Sequence, residues 1–300
     1  MNVVISAVQL GLLYSLLAMG VYISFRILNT PDLTAEGSFT LGVAVSAMMT
    51  VAGHPYLGLL LAFIAGMAAG WVTGVLQTRL GIHPILAGIL TMSGLYTVNL
   101  AVMGASANVT LLDKQTIFRI LIKQLPFSKD AVRILVGAVL VAVMLALLAW
   151  FFRTHLGLCI RATGNNEAMV RSSSINAARI RNIGLMVSNG CIALCGGIIA
   201  QYQGYADISG GVGIMVVGLA SVIIGEVILG RKSVTIGLVS AVVGSVIYRL
   251  IIALALSTNI FPTYFLKLIS AAIVAIALCI PTVKEKIHMM KVRREGKRHA

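Results

Sequence analysis

Only nine of the 300 residues are acidic, so a carboxylate inside an apolar run stands out as a group that could do chemistry. Glu226 is the clearest case: it lies in an uncharged run that continues to Gly230. A charge in hydrocarbon is costly and normally faces protein, water or an opposite charge. Two roles are open to it, an ion- or proton-binding carboxylate and one half of a salt bridge to Arg231 or Lys232. Asp207 heads a glycine-rich stretch, and Asp32 and Glu36 open another apolar segment, where a helix N-terminus stabilises negative charge. Gly225 to Ser233 resembles a phosphate-binding loop, but Arg231 intrudes before the Lys and the stretch ends an apolar helix instead of following a strand. Any ATP-driven activity therefore needs a partner protein. His54, His83, His155, His288 and His299 are scattered, Cys159, Cys191, Cys195 and Cys279 lack zinc spacing, and neither H-E-x-x-H nor G-x-S-x-G occurs. The expectation is no catalytic residue, no metal and no cofactor: a chain that is not itself an enzyme.

The elements that carry these residues are set by composition. The chain is 59% hydrophobic and 11% charged, against roughly a quarter charged in soluble domains. Its solvent must be lipid. Segments of about 20 apolar residues can span a bilayer, and nine candidates occur, near 3–25, 37–53, 56–78, 84–104, 131–152, 183–203, 214–230, 234–256 and 264–282. The second and seventh are short and rich in Gly and Ser, so either could be broken or re-entrant, which is tolerated where protein or a water-filled cavity covers the backbone. The expected fold is an all-α polytopic membrane bundle of about nine spans, with a transmembrane domain over 1–283 and a basic tail over 284–300. The net charge of +14 does not point to nucleic acid, because the basic residues sit in short loops and the tail. With the N-terminus outside and the C-terminus cytoplasmic, sixteen Lys and Arg fall inside and five outside, as positive-inside sorting requires.

Small residues recur at helical spacing. Gly66, Gly70 and Gly74 form one line, Gly218, Ser221 and Gly225 a second, and Gly237, Ser240 and Gly244 a third. Such lines let helix backbones approach closely. Asp32-Leu-Thr-Ala-Glu-Gly-Ser and Asp207-Ile-Ser-Gly-Gly-Val-Gly each precede an apolar helix from opposite sides, as inverted repeats would, although so short a match also arises from composition alone.

The long polar segment 153–182 is the only one set between apolar runs apart from the tail. Gly164-Asn165-Asn166 predicts a turn with an Asn N-cap, Glu167 to Arg171 a short helix, and Ser172-Ser-Ser174 a break, with Ser174 capping the next helix, which carries Arg179 and Arg181. A short helix parallel to the membrane can press into a groove on a soluble ATPase; a basic loop held at lipid headgroups has the same composition.

Arg161-Ala-Thr-Gly-Asn-Asn-Glu-Ala, then Ile175-Asn and Leu185-Met-Val-Ser-Asn-Gly-Cys-Ile-Ala-Leu-Cys-Gly-Gly, resembles the permease subunits of ABC importers in the branched-chain amino acid and ribose permease superfamily. Asp32-Leu-Thr-Ala-Glu-Gly-Ser-Phe and the stretch from Ala206-Asp through Gly218-Leu-Ala-Ser-Val-Ile-Ile-Gly-Glu226 fit it too, and resemble its aromatic amino acid-like branch. Ser174 stands where that pattern usually has Gly. The resemblance implies a dimeric permease in a bacterial inner membrane, two cytoplasmic ATPase subunits docked on 153–182, and an extracytoplasmic solute-binding protein. Arg161, Gly164, Asn165, Asn166, Glu167 and Arg171 would couple to the ATPase. Asp207, Gly218, Ser221, Gly225 and Glu226 would border the translocation pathway. The solute would be small, an amino acid by resemblance. A secondary transporter driven by an ion gradient through Glu226 or Asp207 is the alternative.

Overall fold

The structure, a computed structural model, describes residues 2–230 and 233–257, with 268, 271, 272 and 275 beyond them. Arg231, Lys232, most of the expected segment 264–282 and the tail 284–300 lie outside the described residues. The other eight expected apolar segments are all helical.

In chain order, α1 (Asn2–Val21) continues as a π-helical turn (Tyr22–Ile27), followed by α2 (Thr34–Val51), α3 (Pro55–Thr78), α4 (Pro84–Val102), β1 (Asn108–Thr110), α5 (Ile117–Gln124) and α6 (Lys129–Phe151). Then come α7 (His155–Asn165), α8 (Glu167–Ser172), α9 (Ala177–Gln203), β2 (Tyr205–Asp207), α10 (Ile214–Leu229) and α11 (Val234–Ser257). Local chemistry sets many of the starts. Proline opens α3 and α4, where its missing N–H costs nothing, and Ser128, Thr154, Asn166 and Asn176 accept backbone N–H groups at the starts of α6, α7, α8 and α9.

Two local expectations are corrected here. Gly164 and Asn165 are not a turn; they are the last residues of α7, and only Asn166 leaves the helix. Ser174 does not cap α9. It adopts φ 60, and Asn176 caps, its Oδ1 accepting Arg179 N–H at 3.1 Å.

Helices α2 and α9 form the centre, with α1 and α3 against α9. The Gly66, Gly70 and Gly74 line is a contact face: a Cβ at Gly66 would meet the Asn189 carbonyl, at Gly70 the Leu185 carbonyl and at Gly74 Asn182. Polar side chains join α9 to its neighbours where no water competes. Ser38 Oγ donates to Asn189 Oδ1 at 2.7 Å, Asn189 Nδ2 to Asp32 Oδ2 at 2.6 Å, and Gln201 Nε2 to Ser46 Oγ at 3.0 Å. Outward faces of α3, α4 and α6 expose Leu60, Trp71, Leu86, Leu90, Val139 and Trp150, surface that suits lipid and not water.

Among the described residues six helices are long and apolar enough to cross a membrane: α1 with its π-turn, α3, α4, α6, α9 and α11. Helix α2 is mostly buried inside them. Helix α10, at 16 residues, is about 24 Å long, short of the ~30 Å hydrocarbon core.

The bundle has two ends, one closed by the antiparallel β1–β2 pair and the other by α7 and α8. The Asp32 and Asp207 segments match in local bonding as well as sequence: Asp32 Oδ1 accepts Thr34 N–H at 3.0 Å and Asp207 Oδ1 accepts Ser209 N–H at 2.8 Å. Their parent helices run in opposite senses, α1 toward the α7–α8 end and α9 toward the strand end.

Candidate functional site

After β2, residues 208–213 do not stay at the strand end. They descend into the bundle until Gly211 lies against the carbonyl of Glu36 and Gly213 N–H donates to Glu36 Oε1 at 3.0 Å. Glu36 is two residues from Ser38, which bonds Asn189 near the middle of α9. Helix α10 therefore begins inside the bundle. Gly213, at φ 81, makes the turn that a side chain would strain. A discontinuous helix that starts within the membrane is the arrangement transporters use at substrate sites.

Beside this start is a cavity of about 450 Å³ between α2, α4 and the descending loop. Glu36, Thr40, Ser93, Tyr96 and Asn99 supply its polar wall; Met92, Ile208 and Val212 supply apolar surface. Tyr96 and Val212 are exposed on the outside of the single chain, so the cavity adjoins its surface. In the sequence Glu36 reads as a helix-start acid. It lies in the first turn of α2, as expected, and its side chain also serves the start of α10, 177 positions away, by accepting Gly213 N–H. Ser93, Tyr96 and Asn99 carry no sequence signal beyond being polar within an apolar run.

None of the expected pathway residues is among the described residues of this cavity's wall. Asp207 bonds Ser209 N–H and Oγ, both at 2.8 Å, and starts the descent. Gly218 packs on Val21 and Leu17 of α1, Gly225 on the Ser240 carbonyl of α11, and the Ser221 carbonyl sits where a Cβ of Gly244 would be. Gly225 and Gly244 thus pack α10 and α11 on each other, while Gly218 faces α1 and Gly237 faces Tyr22. Glu226 is buried at the far end of α10, and Arg26 Nη2 donates to its Oε2 at 2.6 Å. The local partners Arg231 and Lys232 lie outside the described residues. Arg249 of α11 lies over the Tyr14 ring, 3.6 Å from its centroid.

The α7–α8 end is built on the same π-helical turn. Gly164 of α7 abuts the Ile27 carbonyl so closely that a Cβ would collide with it. A second, polar cavity of about 370 Å³ lies between the turn, α7 and α10, lined by Tyr22, Arg26, Arg161, Asn165, Glu226 and Ser233. Asn166 Oδ1 accepts Met169 N–H at 3.1 Å and fixes the start of α8. Glu167 then accepts from Arg171 at 2.6 Å and from Arg181 of α9, tying α8 to the bundle. Its outer surface carries Met169, 67% exposed, with Arg171 and Ser172 exposed as well. Of the six expected coupling residues, Arg161, Gly164 and Asn165 face the bundle and Asn166, Glu167 and Arg171 build α8.

Comparison with known proteins agrees with this architecture. Residues 3–278 match the family model described as the branched-chain amino acid transport system / permease component. A tyrosine transport system permease protein of Clostridioides difficile is 36% identical over 275 residues, covering 91% of this chain and 90% of that one. A fructose import permease protein of Bifidobacterium longum is 24% identical, with 98% and 81% covered. Among solved structures, PsaBC from Streptococcus pneumoniae in complex with Fab has TM-score 0.50 at 17% identity, covering 93% of this chain and 90% of that one, and shares the fold. The apolar helices and the permease relatives make this a multi-pass inner-membrane protein, and the chain belongs to the branched-chain amino acid transport permease family of ABC importer subunits.

Proposed function

We propose that this subunit moves a small solute, an amino acid, inward by alternating access, driven by cytoplasmic ABC ATPase subunits and supplied by an extracytoplasmic solute-binding protein. The α7–α8 end faces the cytoplasm and the strand end faces outward, the orientation of a chain of about nine spans with a cytoplasmic C-terminus. Two copies form a homodimer that covers the cavity beside Tyr96 and Val212, placing the pathway between them. The amino acid assignment takes its support from the tyrosine transport relative.

One observation carries this reading. A single element, α10, connects the two sites. Its start borders the cavity through Gly213 and Glu36, and its end is held by Arg26 to the turn on which α7 rests. ATP-driven closure of the ATPase pair pushes α8 and α7, the π-helical turn follows, and α10 shifts the cavity between its two openings. Gly218, Ser221, Gly225 and Glu226 border the pathway as parts of this moving element, and Asp207 borders it at the head of the loop that leads into α10. Charge reversal by Glu167→Arg separates α8 from α9 without touching the membrane interior. ATPase stimulation by substrate in the complex isolated through this chain is expected to fall about tenfold, a loss of about 1.4 kcal/mol of coupling, with the helical content unchanged. Full stimulation in the folded variant would remove α8 from the coupling path.

A further inference from the structure

The second cavity, at the α7–α8 end, carries a positive charge that no described side chain in its wall answers. We propose that it is a binding site for a phosphate group, carried by a lipid headgroup at that end of the bundle or free in solution. Only the placing of that lipid in the cytoplasmic leaflet rests on the orientation given above.

Three observations carry it. Arg161 lines the cavity, is exposed, and forms no ion pair among the described residues. The one carboxylate among the described lining residues, Glu226, is engaged by Arg26 Nη2 at 2.6 Å, so the charge of Arg161 is left over. Second, other donors line the same wall. Arg26 retains an Nε–H that is buried and has no hydrogen-bond partner among the described residues, and an anion in the cavity supplies an acceptor. Ser233 Oγ accepts Ile236 N–H at 3.2 Å, which leaves its O–H to donate, and Asn165 adds an exposed amide. Third, Ser233 and Val234 begin α11, so the partial positive charge of its first turn borders the cavity as well.

Donors with a surplus positive charge select an anion. A neutral hydroxyl gains hydrogen bonds here, whereas an oxyanion gains hydrogen bonds and charge attraction together, and charge-assisted bonds are the stronger kind. The donors come from α7, the π-helical turn and the start of α11, three separate elements. A carboxylate offers two oxygens in one plane, but a phosphate offers oxygens around a tetrahedron and can answer donors from several sides. Guanidinium groups such as that of Arg161 pair with phosphate through two parallel N–H bonds. A cavity of about 370 Å³ has room for a phosphate with the glycerol of a lipid headgroup.

The test uses Asn165→Cys in the full-length chain, delipidated in dodecyl maltoside, a detergent without phosphate. The unsubstituted chain is the blank for its native cysteines. The readout is the rate of modification by 2-hydroxyethyl methanethiosulfonate, a neutral reagent that an occupied cavity slows. The probes are inorganic phosphate, against chloride of equal ionic strength, and phosphatidylglycerol, against diacylglycerol. Inorganic phosphate at about 50 mM, phosphatidylglycerol, or both are expected to slow the rate about fivefold. Protection by inorganic phosphate assigns the free ion as a source, and protection by phosphatidylglycerol assigns the lipid. Adding Arg161→Gln removes the protection, and Arg161→Lys, which keeps the charge, retains part of it. A rate that neither probe slows, protection that survives Arg161→Gln, protection lost equally with Arg161→Lys, or an introduced thiol that does not react each overturns the proposal. The rates require neither ATP nor a partner, so failure of the importer reading leaves this result standing, and the reverse also holds.

Discussion

Ser174 shows how far single residues were legible. Its family resemblance marked it as a position usually held by Gly, and the structure supplies the reason: φ is 60, a region that an L side chain occupies at a cost of about 1 kcal/mol. Ser174→Gly is therefore expected to raise the thermal midpoint in detergent by about 1–3 °C; an unchanged or lower midpoint would show that the turn is not strained. The cap at Asn166 and the short helix from Glu167 were readable because they depend on neighbours in sequence. Glu36 and Glu226 were readable only as unusual carboxylates. Their partners, Gly213 and Arg26, lie 177 and 200 positions away, and no local pattern points to them. For Glu226 the adjacent Arg231 and Lys232 offered a plausible pair, and the more distant Arg26 supplies one in the structure.

At the level of elements, hydropathy located the apolar helices well, since lipid requires long runs of one character. It could not distinguish α2, which is buried by other helices, from a lipid-facing span, and it suggested only that 214–230 was short. The descent of 208–213 explains the shortness: α10 has no need to reach the strand end. Helix α7 was missed because Gly164-Asn165-Asn166 has the composition of a turn, whereas contact with Ile27 makes glycine a packing requirement within a helix. That contact and the Arg26–Glu226 pair make the π-helical turn the junction between α7 and α10, and such turns often occur at functional sites. Glu226→Gln is expected to leave the complex assembled and its ATPase active, while solute uptake per ATP hydrolysed falls about tenfold. The exchange Arg26→Glu with Glu226→Arg should recover part of that ratio. A ratio unchanged by Glu226→Gln would mean that α10 does not transmit the ATPase motion.

The whole molecule is a polar axis enclosed in apolar helices. The central helices carry Ser, Asn, Gln and Gly, and the peripheral ones carry Leu, Val, Ile and Trp. Water-soluble partners are expected at both ends, and lipid or a second copy along the sides. Composition alone sets the class, and the polar stretch 153–182 marks the end at which an ATPase would dock. The cavity was not legible, because Glu36, Ser93, Tyr96, Asn99 and Val212 come from three separate stretches that only the fold brings together. The central claim is that this chain is driven by an ATPase held at α8. It is tested most directly by mild-detergent isolation of the tagged chain from its native membrane, with quantification of co-purifying proteins, for the parent and for Met169→Asp. The account predicts a stoichiometric ATP-binding-cassette subunit with the parent and about a tenfold loss of it with the variant. A parent chain that purifies alone and still accumulates solute in vesicles without ATP would contradict it.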